Sequence, residues 1–190
     1  MKSLRDNFGG FGNRLFQLAH IYGQARSGAL PDIYLQDPKY FDTYREELRS
    51  LWGSDLHKVD MVSLHVRRGD YVNNPFYVDL TETDYYERAM EHFPNAKFLV
   101  FCADRQEGSN DESDMDWCKR KFVGPQFEFW TGKDEVEDWN MMASCKAHII
   151  ANSSFSWMAA YIGGGETVAP SKWFSDGRAG IPLLSEWITI

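Results

Sequence analysis

The stretch 61-MVSLHVRRGDY-71 runs from an apolar segment into two adjacent arginines, inside a chain of 190 residues whose formal net charge is -8. A short apolar run with a polar cluster directly behind it reads as a buried strand that stops where the arginines begin. In open α/β sheets ligands bind beyond the carboxyl ends of strands, so Arg67 and Arg68 fall where a site is expected. Each guanidinium is a rigid fork of donors that matches phosphate oxygens in pairs, and two of them suit a diphosphate better than one lysine would. A structural salt bridge, with Asp70 or Asp60 pairing one arginine, is the competing reading, and spacing alone leaves both open.

Working outward from that strand, the sequence from about residue 61 alternates short apolar runs with amphipathic segments. The runs MVSLHV, KFLVFCA, FEFW, AHIIA and ETVAP are expected strands. Helices are expected over 83–93, 114–122, 135–145 and 155–162, the first with Thr81 as cap and Asp84 three residues on. Val136, Trp139 and Ala143 recur at helical spacing in the third, as core packing would require. Strands alternating with crossover helices make this part a doubly wound α/β domain with a parallel sheet. Residues 1–58 differ: a glycine-rich start, a helix over 13–26 stopped by Gly28, a brief strand DIYLQ and a helix over 43–51.

With 43% hydrophobic and 15% aromatic residues the chain has enough apolar surface for one full domain and a small appendage. The acidic balance, without any basic block, excludes the electrostatic footprint of a nucleic-acid binder. Cys102, Cys118 and Cys145 are odd in number, far apart and not in CxxC spacing, which argues against a disulfide framework or a zinc knuckle and for reduced thiols in a cytoplasmic setting. No signal-peptide h-region and no membrane-spanning run is present, so a soluble protein is expected.

Two further segments carry anion-binding features. NSSFSW, 152–157, follows the strand AHIIA and opens a helix, whose free N–H groups and partial positive charge attract anions. Ser and Asn are also ordinary N-caps, and taken alone the segment reads more simply as capping. FGGFGNRLFQLA, 8–19, places glycines before a helix start, yet lacks the lysine of a P-loop and the full GxGxxG spacing, and a tight turn is the alternative. Asp114-Met115-Asp116 has the DxD spacing of some metal-dependent sugar transferases but sits at a helix start, where acids are favoured anyway. The five histidines lack ligand spacing, no GxSxG elbow is present, and His148 falls in a buried strand as a core residue.

Taken together these segments resemble the alpha-1,2-fucosyltransferase family, inverting enzymes that use GDP-fucose. HVRRGDY is similar to that family's HxRRGDY motif and FGGFGNRLFQLA to its GGLGNQLFQYA opening. DEVEDWNMMASCKAHIIANSSFSWMAAYI is similar to its long segment ending in ANSTFSWW, and APSKWF and EWITI also fit. The resemblance implies a GT-B-like enzyme. Its Rossmann-like, GDP-sugar-binding domain would occupy 59–190, and a reduced N-terminal α/β segment, 1–58, would carry the glycine loop and the acceptor side. On the matching positions Arg67 would grip the diphosphate with help from His65 and Arg68, and Ser153, Ser154, Phe155 and Ser156 would wrap phosphates and nucleoside. Asp104 would face the guanine side. Asn13, in the loop of Gly10 and Gly12, would reach toward the reacting sugar. Asp70 would either take the acceptor proton or orient an arginine. No metal and no cofactor beyond the donor GDP-fucose are implied, and the partner is a glycan acceptor.

The chain departs from the family pattern in several places. About 55 residues separate the glycine motif from HVRRGDY, where the family has more than twice that; Arg14 replaces a Gln, Ala103 interrupts an acidic pair and Met158 replaces a Trp. A non-catalytic GDP-sugar-binding module, and an interaction protein that completes its acceptor site with a partner or as a homo-oligomer, are the alternatives these departures raise.

Overall fold

Residues 61–65 of the central strand are all buried, the pattern of a strand covered by helices on both faces rather than one half in water. The computed structural model describes residues 10–27, 36–54, 56–103 and 112–190. Among them the chain runs α1 (Phe11–Ser27), α2 (Arg45–Trp52), β1 (Val59–His65), α3 (Tyr85–Glu91), β2 (Phe98–Phe101), α4 (Asp114–Lys121), β3 (Phe127–Phe129), α5 (Glu135–Ser144), β4 (Cys145–Ile149), α6 (Ser154–Gly163), β5 (Thr167–Ala169) and β6 (Ile188–Thr189). All strands pair in parallel in the order β3-β2-β1-β4-β5-β6. β1 aligns Leu64 with Val100 of β2 and with Ile149 of β4. This is the doubly wound order in which successive strands spread outward from a central pair.

Side-chain alternation sorts the core into two layers. Val62, Leu64, Val100 and Ile149 meet Tyr85, Tyr86, Ala89, Cys118 and Phe122 of α3, α4 and their ends. Met61, Leu99 and Phe101 meet Trp139, Met142, Trp157 and Tyr161 of α5 and α6 on the other face. α6 is buried all round at Trp157, Met158, Ala159, Ala160 and Tyr161, as expected of a helix between a sheet and a further layer. That further layer is N-terminal: Leu15, Phe16 and Ala19 of α1, with Phe41 and Leu48, share the same core. Truncating a fully buried Trp157 would cost about 3–5 kcal/mol. No helix among the described residues is long and apolar enough to cross a membrane.

The five expected strands and the helices after residue 61 are present, with ends moved by a few residues. The two-residue β6 is a strand the periodicity could not signal. Thr81 does not cap α3: it lies in a short 3-10 turn, Leu80–Glu82, where Asp79 accepts from its N–H, and Thr83 Oγ1 accepts from Tyr85 N at 3.2 Å instead. Val136 is 45% exposed, so only Trp139 and Ala143 of the expected apolar face are core. Gly28 and most of DIYLQ lie outside the described residues.

Two buried polar contacts tie the layers together. His148 Nε2 meets Gly164 O at 3.0 Å; a carbonyl only accepts, so Nε2 carries the proton and Nδ1 accepts from Ser63 Oγ at 2.7 Å. Burial pulls the His148 pKa down from 6.5 to about 3. On the other face Arg68 Nε donates to Asp114 Oδ1 at 3.2 Å, Gly69 N donates to Asp114 Oδ2 at 2.8 Å, and the Arg68 guanidinium lies 4.5 Å from the Trp117 ring centre. The DxD spacing at 114–116 is therefore structural: Asp114 anchors α4 to the end of β1, and Asp116 pairs with the capping Ser113.

Both contacts make predictions. Below pH 6.5 an unfolded chain protonates His148 while the folded one does not, so this share of stability is complete above 6.5 and drains away as pH falls toward 3. The slope is at most about 1.4 kcal/mol per pH unit, and urea unfolding between about pH 7 and about pH 5 should show it flattened in His148→Gln. Asp114→Ala strands a buried guanidinium and should lower unfolding free energy by about 3–5 kcal/mol, whereas Asp116→Ala should cost about 1 kcal/mol or less.

Candidate functional site

β1 and β4 are the two strands from which the chain leaves in opposite directions, and a cleft of about 770 Å³ opens beyond their carboxyl ends. Segments that are distant in sequence line it. His65 ends β1 and Arg67, Asp70 and Tyr71 follow it; Asn152, Ser153, Ser154 and Phe155 follow β4; Gly10, Phe11, Gly12 and Asn13 open α1; and Trp130 to Glu135 with Asp138 form the entry to α5. Two sequence candidates do not line it. Arg68 is committed to Asp114, and Ser156 is buried in the first turn of α6, where its Oγ accepts from Ala151 N at 3.2 Å. Asp104 lies outside the described residues, although Cys102 and Ala103 before it line the cleft.

The glycine loop and the NSSFSW segment meet. A Cβ on Gly12 would stand 2.4 Å from Phe155 N, so the absence of a side chain is what lets the two helix starts touch. Ser154 Oγ donates to Asn13 Oδ1 at 2.6 Å, and Gln36 Nε2 donates to the same oxygen. Both donors occupy Oδ1, so what Asn13 offers a ligand is its NH2 group. Neither α1 nor α6 has an acid in its first turn, whereas α5 is capped by Asp134 and carries Glu135, Glu137 and Asp138 there. The uncompensated partial positive charge is thus concentrated between α1 and α6.

Arg67 supplies the formal charge at the same edge. Its side chain is 37% exposed, Nη2 donates to Asp70 Oδ1 at 2.5 Å, and its buried Nε has no partner. His65, only 7% exposed, packs its ring against Phe155 at 5.8 Å and has a buried Nδ1 without a partner. Burial, and then the Arg67 charge, take its pKa down to about 3, so it is a neutral hydrogen-bonding ring at ordinary pH. Tyr86 Oη donates to the His65 carbonyl at 3.1 Å and holds the strand end in place. The arrangement combines one guanidinium, two helix starts and a neutral imidazole, a set suited to a compact multi-oxygen anion.

Sequence reasoning missed two parts of the wall. Asp138 Oδ1 accepts from Trp130 Nε1 at 2.9 Å and from Gly132 N at 3.0 Å, binding the turn after β3 to α5, and burial raises its pKa. Its spacing from Asp134, four residues on a helix, was the available signal. On the opposite side Tyr77, Trp173 and Phe174 line the cleft, and nothing in their separate surroundings announces it.

Comparison with known proteins gives the chain a family. The profile of glycosyl transferase family 11 matches residues 34–190. An O-antigen biosynthesis glycosyltransferase of Escherichia coli, WbnK, is 27% identical over 88% of this chain and 62% of its own length. An alpha-1,2-colitosyltransferase of Escherichia coli is 31% identical over 83% of this chain and 61% of its own. The galactoside alpha-(1,2)-fucosyltransferase 2 of Rattus norvegicus is 27% identical over 84% and 49%. The chain thus spans about three fifths of the length of the bacterial relatives it matches. No solved structure matches it significantly. With the match running through every segment of the cleft except the start of α1, the chain belongs to glycosyl transferase family 11.

Proposed function

We propose that this chain binds GDP-fucose and transfers L-fucose to a glycan hydroxyl in alpha-1,2 linkage, with inversion and without a metal ion. The observation that carries the reading is Arg67, half-exposed beside two acid-free helix starts at the switch point of the sheet. As the C1–O bond to the diphosphate breaks, negative charge grows on the leaving oxygen while the sugar becomes oxocarbenium-like. Donors fixed at that oxygen stabilise the transition state more than the ground state. Arg67, with the N–H groups at the start of α6, is the set proposed for this, and the NH2 of Asn13 reaches the reacting sugar from the other side.

Inversion needs the acceptor oxygen to attack C1 from the face opposite the diphosphate and to lose its proton to a base. Asp70 serves both roles suggested by its motif, one with each oxygen. Oδ1 holds Arg67 at 2.5 Å, and Oδ2 is the base, on a side chain that is 54% exposed. His65 joins Arg67 at the diphosphate, and the wall of Cys102, Ala103, Thr131, Gly132 and Asp138 is assigned to the nucleoside. The names of two mammalian relatives support a galactoside acceptor. The colitosyl relative favours a second reading, in which colitose is the transferred sugar and the same residues hold the donor. Free thiols at Cys102, Cys118 and Cys145 fit work in a reducing cytoplasm.

Calorimetry with GDP, GMP and UDP tests the reading. GDP should bind well above GMP and UDP, unchanged by EDTA, and Arg67→Ala should weaken GDP by about 10- to 100-fold, the worth of charge-assisted bonds to the terminal phosphate. GMP, which lacks that phosphate, should be affected far less. Equal binding of UDP would refute the guanine assignment, and undiminished GDP binding by Arg67→Ala would refute the anion site.

A further inference from the structure

Three sulfur atoms meet at the carboxyl end of β2. Side chains of this strand alternate, so that Leu99 and Phe101 face α5 and α6 while Phe98 and Val100 face α3 and α4. Cys102 continues the second side and packs against the α3 and α4 layer. On α4 the residues Met115 and Cys118 are three apart and share one helix face. Cys102 Sγ donates to Met115 Sδ at 3.9 Å. The fully buried Cys118 thiol donates in turn to Cys102, and that bond, ahead of burial, holds Cys118 protonated well above the usual thiol range.

The two thiols differ in access. Cys102 is half-buried and lines the cleft beside Ala103, within reach of a small solute, whereas Cys118 is closed off behind it. Cys145 belongs to the other core layer, where its Sγ donates to a backbone carbonyl, Met141 O, at 3.6 Å. Packing accounts for Cys118 and Cys145, since a buried thiol behaves as a small hydrophobe. It does not account for a second thiol held against the first at the wall of a cleft. In reducing compartments such pairs are usually transient redox sensors.

We infer that Cys102 and Cys118 are an oxidisable dithiol, which hydrogen peroxide closes into a disulfide that weakens nucleotide binding in the cleft. The Cys102 sulfur, as thiolate, first takes one peroxide oxygen: the O–O bond breaks, the second oxygen leaves as hydroxide and is protonated to water, and Cys102 becomes a sulfenic acid. Cys118 then attacks that sulfur. The S–S bond forms, the S–O bond breaks, and the Cys118 proton leaves with the hydroxyl as a second water. The pair loses two electrons and two protons, and peroxide takes up both. Drawing the sulfurs from hydrogen-bonding contact to about 2 Å pulls the end of β2 toward α4 and away from the cleft, so the wall assigned to the nucleoside moves. The loss of nucleotide binding rests on the donor reading proposed above; formation of the disulfide does not.

Peptide mapping of the full chain after hydrogen peroxide, with free thiols alkylated during unfolding, reads the bond directly. The Cys102 and Cys118 peptides should be joined and lighter by two hydrogens than the reduced pair, with Cys145 alkylated. In calorimetry the oxidised chain should bind GDP about tenfold more weakly than the reduced one. Dithiothreitol, which leaves methionine sulfoxide in place, should restore it. Reduced Cys118→Ala should bind GDP within about twofold of wild type, and peroxide should leave its Cys102 as a sulfenic acid that dimedone labels. Absence of the Cys102–Cys118 link in wild type, an equal yield of links to Cys145 or between chains, or equal GDP binding by linked and reduced chains overturns the inference. If the link forms while reduced wild type takes no GDP, the donor reading fails and the dithiol stands.

Discussion

The parallel pairing of β1 with β4 is the constraint on which the rest depends. Two strands 80 residues apart in the chain are brought side by side, Ser63 beside His148 and Leu64 beside Ile149, and both release their chain at the same edge. Because every later strand adds outward from this pair, the first residues beyond it meet no neighbouring strand and are left lining a cleft. The Ser63–His148–Gly164 bond chain locks that pairing from inside, where an unpaired imidazole would be costly.

The adjacent arginines after β1 divide two tasks between them. Side chains one residue apart on an extended segment point to opposite faces, so Arg68 falls toward α4 and Arg67 toward the cleft. Arg68 takes a buried carboxylate and an aromatic ring, and becomes part of the scaffold. Arg67 keeps a half-exposed head and a single carboxylate partner, which leaves donors for something else. The salt bridge expected at this pair is present at both residues, Asp70 on Arg67 and Asp114 on Arg68, and only the exposed one leaves donors open.

Much of the architecture was legible because its signals are local. MVSLHV and AHIIA announce buried strands by continuous apolar runs, and NSSFSW announces a helix start by its side-chain oxygens. The sides on which these segments act were less legible. Ser156 looks no different from Ser154 in the sequence, yet one closes a turn and the other meets Asn13, because a helix turns by about 100° per residue. Tyr77 and Phe174 were invisible as a pair: nearly a hundred residues separate them, and only the bridge between two loops makes them neighbours. Asp138 was masked in another way, since an acid in the first turn of a helix already has a routine explanation in the dipole.

The unequal loading of the helix starts has an effect on traffic through the cleft. A chain of net charge -8 repels nucleotide diphosphates at long range, yet salt confines that repulsion to within about 8 Å at physiological ionic strength. Inside the cleft the acid-free starts of α1 and α6 reverse the sign, while the acids heading α5 keep it negative one wall away. An anion therefore meets a narrow attractive well set in a repulsive surround. Such a profile draws a small anion to the starts of α1 and α6 and away from the head of α5.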